Sequence, residues 1–123
     1  MLLFNIPNID NNTIFSPIQA SSDIKSTKAN SVVYFTLKDN YELVKYCNKN
    51  NIKFALVIEN IREAVFSNAL HASFIFTNKA LSANVQKIVE NYMFDAKNIL
   101  VLENDDDIDF AITHEIDGVI YLC

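Results

Sequence analysis

Five short apolar runs recur from residue 32 onward, and stretches of mixed polarity separate them. The runs span residues 32–35, 54–58, 74–76, 99–102 and 119–122. Each is continuously apolar and rich in β-branched and aromatic residues, which is typical of strands covered on both faces, as in parallel sheets. Because the runs begin roughly twenty residues apart, the pattern predicts one strand–helix unit repeated along the chain.

The intervening stretches have helical spacing, which parallel strands require of their connections. They span residues 39–50, 61–70, 81–93 and 108–115. Asn60 followed by Glu63 fits a capping box, and Asp39 followed by Glu42 has the same spacing. Asp105, Asp106 and Asp107 are predicted to open the last helix as acidic side chains in solvent.

Residues 1–30 do not follow this repeat. Residues 2–6 predict a further strand. Residues 7–30 are polar, contain both prolines, and predict a long loop or a short hairpin around Ile14 and Phe15 that covers the rest as an arm. The role of this arm is left open.

We therefore expect a single α/β domain over residues 1–123, with a strand and an irregular arm in 1–30 and repeated βα units in 31–123. The sheet is predicted to be mainly parallel, with five or six strands. It could be an open layered sheet or a half-barrel-like arc, and the open sheet is preferred.

The charge of the chain excludes some partners. The formal net charge is -5, the isoelectric point is about 4.8, and Arg62 is the only arginine. Nucleic-acid binding and anionic membrane surfaces need clustered basic residues, so we expect neither partner. No apolar run approaches the ~20 residues that cross a bilayer, and the first residues resemble no export signal, so we expect a cytoplasmic location.

Gly118 is the only glycine of the chain. Dinucleotide turns, phosphate-binding loops and nucleophile elbows need several glycines at fixed positions, so the common nucleotide-binding and hydrolase motifs are absent. We therefore expect no cofactor.

Histidine and cysteine do not form a site in the sequence. His71 and His114 have no metal-ligand partner at a suitable spacing, so we expect no metal. Cys47 and Cys123 are not arranged as CxxC and are interpreted as reduced bystanders.

Polar residues follow three of the predicted strands. In parallel α/β proteins, ligands bind beyond the carboxyl ends of the strands, where Glu59, Asn78, Lys79 and Glu103 lie. These four are the candidate ligand-binding residues, and Lys79 and Glu103 would be catalytic if the protein is an enzyme. The alternative is that they are ordinary solvated polar residues of loops.

Residues 52–122 resemble the C-terminal part of phosphate-binding (β/α)₈ barrels such as indole-glycerol-phosphate synthase and the keto-deoxy-phosphogluconate aldolase type. Residues 74–81 are similar to the synthase strand ending in Asn-Asn-Arg-Asp-Leu, residues 101–105 to that ending in Ser-Glu-Ser-Gly, and residues 117–120 to the barrel ending Asp-Gly-Val-Leu-Ile-Gly. The resemblance implies substrate-contacting roles for Asn78 and Glu103. The family's arginine is Lys79 here, and its phosphate-binding glycines fall at Asp105 and Leu122.

Three functions are compatible with these observations. The leading hypothesis is a non-catalytic cytoplasmic protein that acts through protein–protein association, itself a homo-oligomer, most simply a dimer. The alternative is a small-metabolite-binding or lyase/aldolase-like enzyme with a degenerate barrel-type site at the strand ends. A regulatory domain that works beside a separate catalytic chain is the third.

Overall fold

The computed structural model describes residues 1–122. The strands are β1 (Leu2–Phe4), β2 (Phe15–Pro17), β3 (Val32–Thr36), β4 (Phe54–Val57), β5 (Phe74–Thr77), β6 (Lys97–Val101) and β7 (Gly118–Ile120). The helices are α1 (Tyr41–Lys49), α2 (Ile61–Ala69), α3 (Lys79–Asn91) and α4 (Asp106–Thr113), and a 3₁₀ helix covers Ser21–Ser26. None of the helices within residues 1–122 has the length and apolar character needed to cross a membrane.

The strands form one seven-stranded sheet in the order β1-β7-β6-β5-β4-β3-β2, and every pair is parallel. The predicted α/β class, the parallel pairing and the repeated strand–helix units are confirmed. There are seven strands rather than five or six because residues from the first thirty form both edges. The hairpin alternative is wrong, since β2 lies parallel to β3, with Phe15 opposite Val32 and Pro17 opposite Tyr34.

The sheet is curled into a half-barrel, and its two faces have different cores. Along β3, Val33 and Phe35 pack with α1 on the convex face, whereas Val32 and Tyr34 belong to a cluster on the concave face. Three clusters combine convex strand residues with helix residues, and the concave cluster contains no residue of a helix within residues 1–122. The half-barrel is therefore the correct alternative, and the preferred open layered sheet is wrong.

Aromatic rings fill the concave face where a flat sheet would need a second layer of helices. The rings of Phe4 in β1 and Phe15 in β2 are 4.9 Å apart at an interplanar angle of 69°. Both also lie 5.5 Å from the ring of Phe74 in β5, in edge-to-face geometry. Because β1 and β2 are the two edges of the sheet, these contacts are what the curl makes possible. Large rings thus close the interior without a covering helix.

Gly118 allows β1 to lie close to β7. A Cβ atom at this position would be 2.8 Å from the side chains of Leu2 and Ile99 and 2.9 Å from the carbonyl oxygen of Leu2. Real Cβ atoms do not approach backbone so closely. The one glycine of the chain therefore serves strand packing.

All four helices end in the same turn, and none of the turns uses glycine. The second residue after each helix has a positive φ; these residues are Asn51, His71, Met93 and Glu115. In the first of these turns the N–H of Ile52 donates to the carbonyl of Cys47, and the N–H of Asn51 to that of Asn48. The other three repeat both bonds at equivalent positions, which is the Schellman motif. In these turns the left-handed backbone conformation is adopted by residues other than glycine, for which it is unfavourable in free energy.

Both edge strands are only three residues long and are protected against pairing with another strand. Pro17 in β2 has no backbone N–H to donate. The carbonyl of Leu3 in β1 accepts a hydrogen bond from Asn11 Nδ2 at 3.1 Å. Short edges, proline and a covering side chain are the usual means of preventing edge-to-edge association.

Candidate functional site at the carboxyl ends of the strands

The four candidate residues lie at one end of the sheet, as the topology requires. Glu59 follows β4, Asn78 and Lys79 follow β5, and Glu103 follows β6, and these strands are neighbours. Within residues 1–122, no hydrogen bond or ion pair joins the side chain of any one of them to that of another. Each of the four makes its contacts separately, either with nearby backbone or with a residue outside this group of four.

Asn78 caps α3. Its backbone is extended, and its Oδ1 accepts a hydrogen bond from the N–H of Leu81 at 2.9 Å. An asparagine at this position satisfies an amide that the helix leaves without a partner. The side chain thus has a structural partner where the barrel resemblance implies a substrate.

A second cap lies beside Glu59. The N–H of Glu63 donates to Asn60 Oδ1 at 3.0 Å, so Asn60 is the cap that the sequence predicted. The carboxylate of Glu63 accepts from the N–H of Glu59 at 2.7 Å, one residue before the cap. Glu59 therefore contributes its backbone to the start of α2, while its own side chain is exposed.

Asp107 is the residue at this end that sequence reasoning missed. The three acids were expected in solvent, but Asp107 is buried, with 4% exposure. Its Oδ2 accepts from the N–H of Glu103 at 3.0 Å and its Oδ1 lies 3.3 Å from Lys79 Nζ. The hydrogen bond from Glu103 and the nearby Lys79 ammonium hold the pKa of this carboxyl below its usual value, against the opposing effect of burial. The available signal was spacing, since Asp107 follows Glu103 by four residues, as Glu63 follows Glu59.

The ammonium group of Lys79 makes two contacts. Besides the ion pair with Asp107, its Nζ lies 5.3 Å from the ring centroid of Phe110 in α4. The side chain is 55% exposed. Schiff-base chemistry needs the free amine, whereas an ion pair and a cation–π contact both engage the ammonium.

Tyr121 adds a further polar contact at this end. Its hydroxyl donates a hydrogen bond to Asp105 Oδ1. This bond, followed by burial and by the negative charges of Asp105 and Asp107, raises the pKa of Tyr121 to about 12. The phenol is therefore neutral throughout the physiological range. It is a hydrogen-bond donor already in use, and the sequence predicted it to lie inside the last strand, whereas β7 ends at Ile120.

A separate polar cluster lies between α3, the end of β5, the amino half of β6 and the residue just before β7. We call it the buried amide network. Its members are Thr77, Ser82, Gln86, Asn98 and Asp117. Asn98, which is fully buried, donates from Nδ2 to the carbonyl of Ser82 at 3.0 Å and to Gln86 Oε1 at 3.1 Å. Its Oδ1 accepts from Thr77 Oγ1 at 2.8 Å.

Asp117 anchors the other side of this network. Its two carboxylate oxygens accept from Gln86 Nε2 at 3.0 Å and from the N–H of Asn98 at 2.9 Å. Within residues 1–122, one side-chain atom of the network, Ser82 Oγ, is buried without a partner. The network joins α3 to β5, to β6 and to Asp117 just before β7 by directional bonds in a low-dielectric setting, so it specifies their relative position.

Metal chemistry finds no support in this arrangement. In the part of the chain that the structure describes, no three His, Cys, Asp or Glu side chains gather as ligands. Cys47 is buried and free, and burial raises the pKa of its thiol to about 11. Cys123 lies outside the described residues.

The fold and this site define a small α/β protein whose curled parallel sheet ends in helix caps and the Lys79–Asp107 ion pair. No protein-family model matches the chain, and no curated protein matches it. The resemblance to phosphate-binding barrels over residues 52–122 stays a prediction.

Proposed function

We propose that this protein is a non-catalytic cytoplasmic module that acts by protein–protein association, and that its first partner is a second copy of itself. The observation that carries the proposal is an apolar groove of about 660 Å³ between β1 and α4, which we call the β1–α4 groove. Its walls include Leu3, Ile6, Ile108 and Ile112.

The groove lies where a helix would be expected. Leu3 belongs to the convex face, which is packed against helices along β3 to β7. Residues 5–14, which follow β1, form no helix. Apolar side chains beside β1 therefore remain in contact with water, and Ile9 and Ile112 are 47% and 60% exposed. Contiguous apolar surface of this kind is typical of interaction sites.

The shape of this surface favours a second copy as the occupant. Ile108 and Ile112 are one helical turn apart and share a face of α4. Ile112 therefore lines the groove and is also exposed, so it can contact a second molecule. A two-fold axis near α4 would place Ile112 of each copy in the groove of the other, as an isologous interface requires. The protected edges at Pro17 and Leu3 favour this helix-face contact over strand pairing.

Oligomeric mass tests the proposal directly. We expect light scattering behind a sizing column to give, at micromolar concentration, twice the 14.0 kDa of one chain. Ile112→Lys should give a monomer, because a charge would have to be buried at the centre of the interface. The residue is exposed in one chain, so the variant should still fold.

Val65→Lys is the matched control. Val65 lies on α2 and is 43% exposed, so the same change of charge is made away from the groove, and the mass should stay that of the dimer. A wild-type mass that stays at 14.0 kDa on concentrating would overturn the proposal. Loss of the dimer in both variants would overturn the assignment of the interface to the groove.

A cytoplasmic location is part of this proposal. Cys47 is a buried free thiol, which fits a reducing compartment, and the acidic composition disfavours nucleic acid and anionic membranes. At the strand ends, the caps and the Lys79–Asp107 pair support a structural role for the polar residues there. The lyase- or aldolase-like alternative stays a hypothesis that depends on Lys79.

A further inference from the structure

The arm and the amino ends of β3 and β4 enclose a recess that is independent of the β1–α4 groove. Its volume is about 530 Å³, and we call it the arm recess. It is lined on one side by residues 27–31, which lead from the 3₁₀ helix into β3, and on the other by residues 51–53, which lead from α1 into β4. A volume of this size lies in the range of small-molecule sites.

The charge of the arm recess is opposite to that of the chain. Two lysines, Lys28 and Lys53, line it, and no aspartate or glutamate is among its lining residues in the described part of the chain. The protein as a whole has 15 acidic residues and a net charge of -5. Within residues 1–122 neither lysine forms an ion pair, since the lysines that do are Lys45 and Lys79. Two cations without counterions therefore share one concave surface.

The floor of the recess is apolar, with one hydroxyl beside it. Ile24 and Ile52 are partly buried and pack against the core cluster beneath α1, and Val33 is almost fully buried. Ser31 also lines the recess, and its Oγ is buried without a hydrogen-bond partner among the described residues. That oxygen has almost no accessible surface, so it is left out of the contacts that a ligand in the recess would make.

We propose that the arm recess binds a small organic anion, with its charged head between Lys28 and Lys53 and its apolar part against Ile24 and Ile52. The lysines neutralise the head, and the isoleucines remove the apolar part from water. This gives the N-terminal arm a function as one wall of a binding site. The proposal does not depend on the oligomeric state.

Octanoate is the probe for this site, because it combines a carboxylate with an apolar chain that the volume accommodates. We expect calorimetry to give saturable binding with a dissociation constant of about 0.1–1 mM. Inorganic phosphate carries the charge without the apolar part, and octanol the reverse, so each should bind at least about tenfold more weakly. Amide shifts on octanoate binding should cluster in residues 24–33 and 51–53.

The double variant Lys28→Gln/Lys53→Gln should weaken octanoate binding by about tenfold or more. The matched control is Lys38→Gln/Lys87→Gln, which changes the net charge equally at exposed positions outside the recess and should bind octanoate as the wild type does. Absence of saturable octanoate binding, octanol binding as tight as octanoate, equal loss in both double variants, or shifts that cluster elsewhere would each overturn the proposal. None of these results bears on the mass of the oligomer, so this proposal and that of the dimer can fail separately.

Discussion

The two ends of the sheet use polar residues in different ways. At the carboxyl ends of the strands, Asn60, Asn78 and Asp107 bond to single amides at or just before helix starts, and most of the neighbouring side chains reach water. Towards the amino ends, Asn98 and Gln86 lie inside the protein and bond to several groups at once. The first arrangement begins helices, and the second fixes helices on strands.

The polar residues that stabilise the fold most are thus towards the amino ends of the strands, whereas the ligand site was expected at the carboxyl ends. Buried polar groups are costly to leave unpaired, so removing a partner from the buried amide network should strongly destabilise the fold. Exposed caps can be lost one at a time for about 1 kcal/mol each. We therefore expect substitutions at the amino end to have the larger effects on stability.

The largest effect is expected for Asn98→Ala. The substitution leaves Thr77, Gln86 and the carbonyl of Ser82 without their shared partner in a buried setting. We expect the free energy of unfolding to fall by ~3 kcal/mol, measured by urea denaturation. Asn48→Ala is the control: the Asn48 side chain is exposed and within residues 1–122 makes one hydrogen bond, to the carbonyl of Leu70, so this variant should lose less than ~1 kcal/mol. Equal losses in the two variants would contradict the contrast between buried and exposed amides.

Asp107→Asn should have the next largest effect, because Asp107 is a charged residue at the carboxyl ends of the strands that is buried like the network. We expect the free energy of unfolding to fall by ~2 kcal/mol at pH 7. The Lys79 ammonium loses its charged partner, and the N–H of Glu103 loses a charged acceptor. Asp106→Asn, at the exposed neighbouring position, should cost much less.

The pH dependence of this loss has a definite sign. The pKa of Asp107 is lower in the folded protein than in the unfolded chain, where it is about 3.9. Its contribution is therefore complete above that value and disappears as the pH falls through the folded pKa. The difference between wild type and Asp107→Asn should shrink on acidification below about pH 4. A difference that stays constant from neutral to strongly acidic pH would show that the charge of Asp107 is not its source.

Met93→Gly should have a smaller effect and the opposite sign. Met93 has φ 52° in the turn after α3 and is 82% exposed, so a glycine relieves the strain without removing packing. We expect a gain of ~0.5–1 kcal/mol in the free energy of unfolding. Tyr92→Gly, one residue earlier at negative φ and 74% exposed, should lose stability instead. A loss in both variants would mean that the left-handed turn at Met93 is not strained.

The smallest expected effect is at Lys79. Because its ammonium is held by Asp107 and lies over the ring of Phe110, we expect no covalent adduct when the protein is treated with pyruvate and borohydride. Mass spectrometry of wild type and Lys79→Ala makes the comparison. An adduct that forms in the wild type and is lost in Lys79→Ala would support the lyase- or aldolase-like alternative and contradict a purely structural carboxyl end.

The repeated units could be predicted because each depends on local pattern. Phe74, Ile75 and Phe76 indicate a buried strand by themselves, whichever side they face. The curl could not be predicted, since a continuous apolar run does not show which residues meet helices and which meet one another across the concave face. β2 was missed for a related reason, because Phe15, Ser16 and Pro17 are too few and include a proline, and only pairing with β3 makes them a strand.

The position of the candidate site at one end of the sheet could be predicted, and its ligand-binding role stays a prediction. Topology alone brings Glu59, Asn78, Lys79 and Glu103 to one end of the sheet. What each contacts depends on distances that spacing does not determine: Asp107 is buried because α4 carries it against Lys79, and Asn78 is engaged because α3 begins there. Strand-end polarity in such a sequence is therefore insufficient to distinguish a cap from a ligand.

The pairing of β1 with β7 has a consequence for the order in which the protein folds during synthesis. Leu2 lies opposite Gly118, whereas each strand from β4 to β7 pairs with the strand made just before it. β1 is synthesised before the other strands, but it has no strand to pair with until residues 118–120 have been made. Until then Phe4 is missing from the concave face, and the parts of the Phe15 and Phe74 rings that it covers remain in water. Sheet closure is thus the last step of a process that is otherwise sequential, and a nascent chain stalled before β7 exposes the same aromatic surface that stabilises the finished protein.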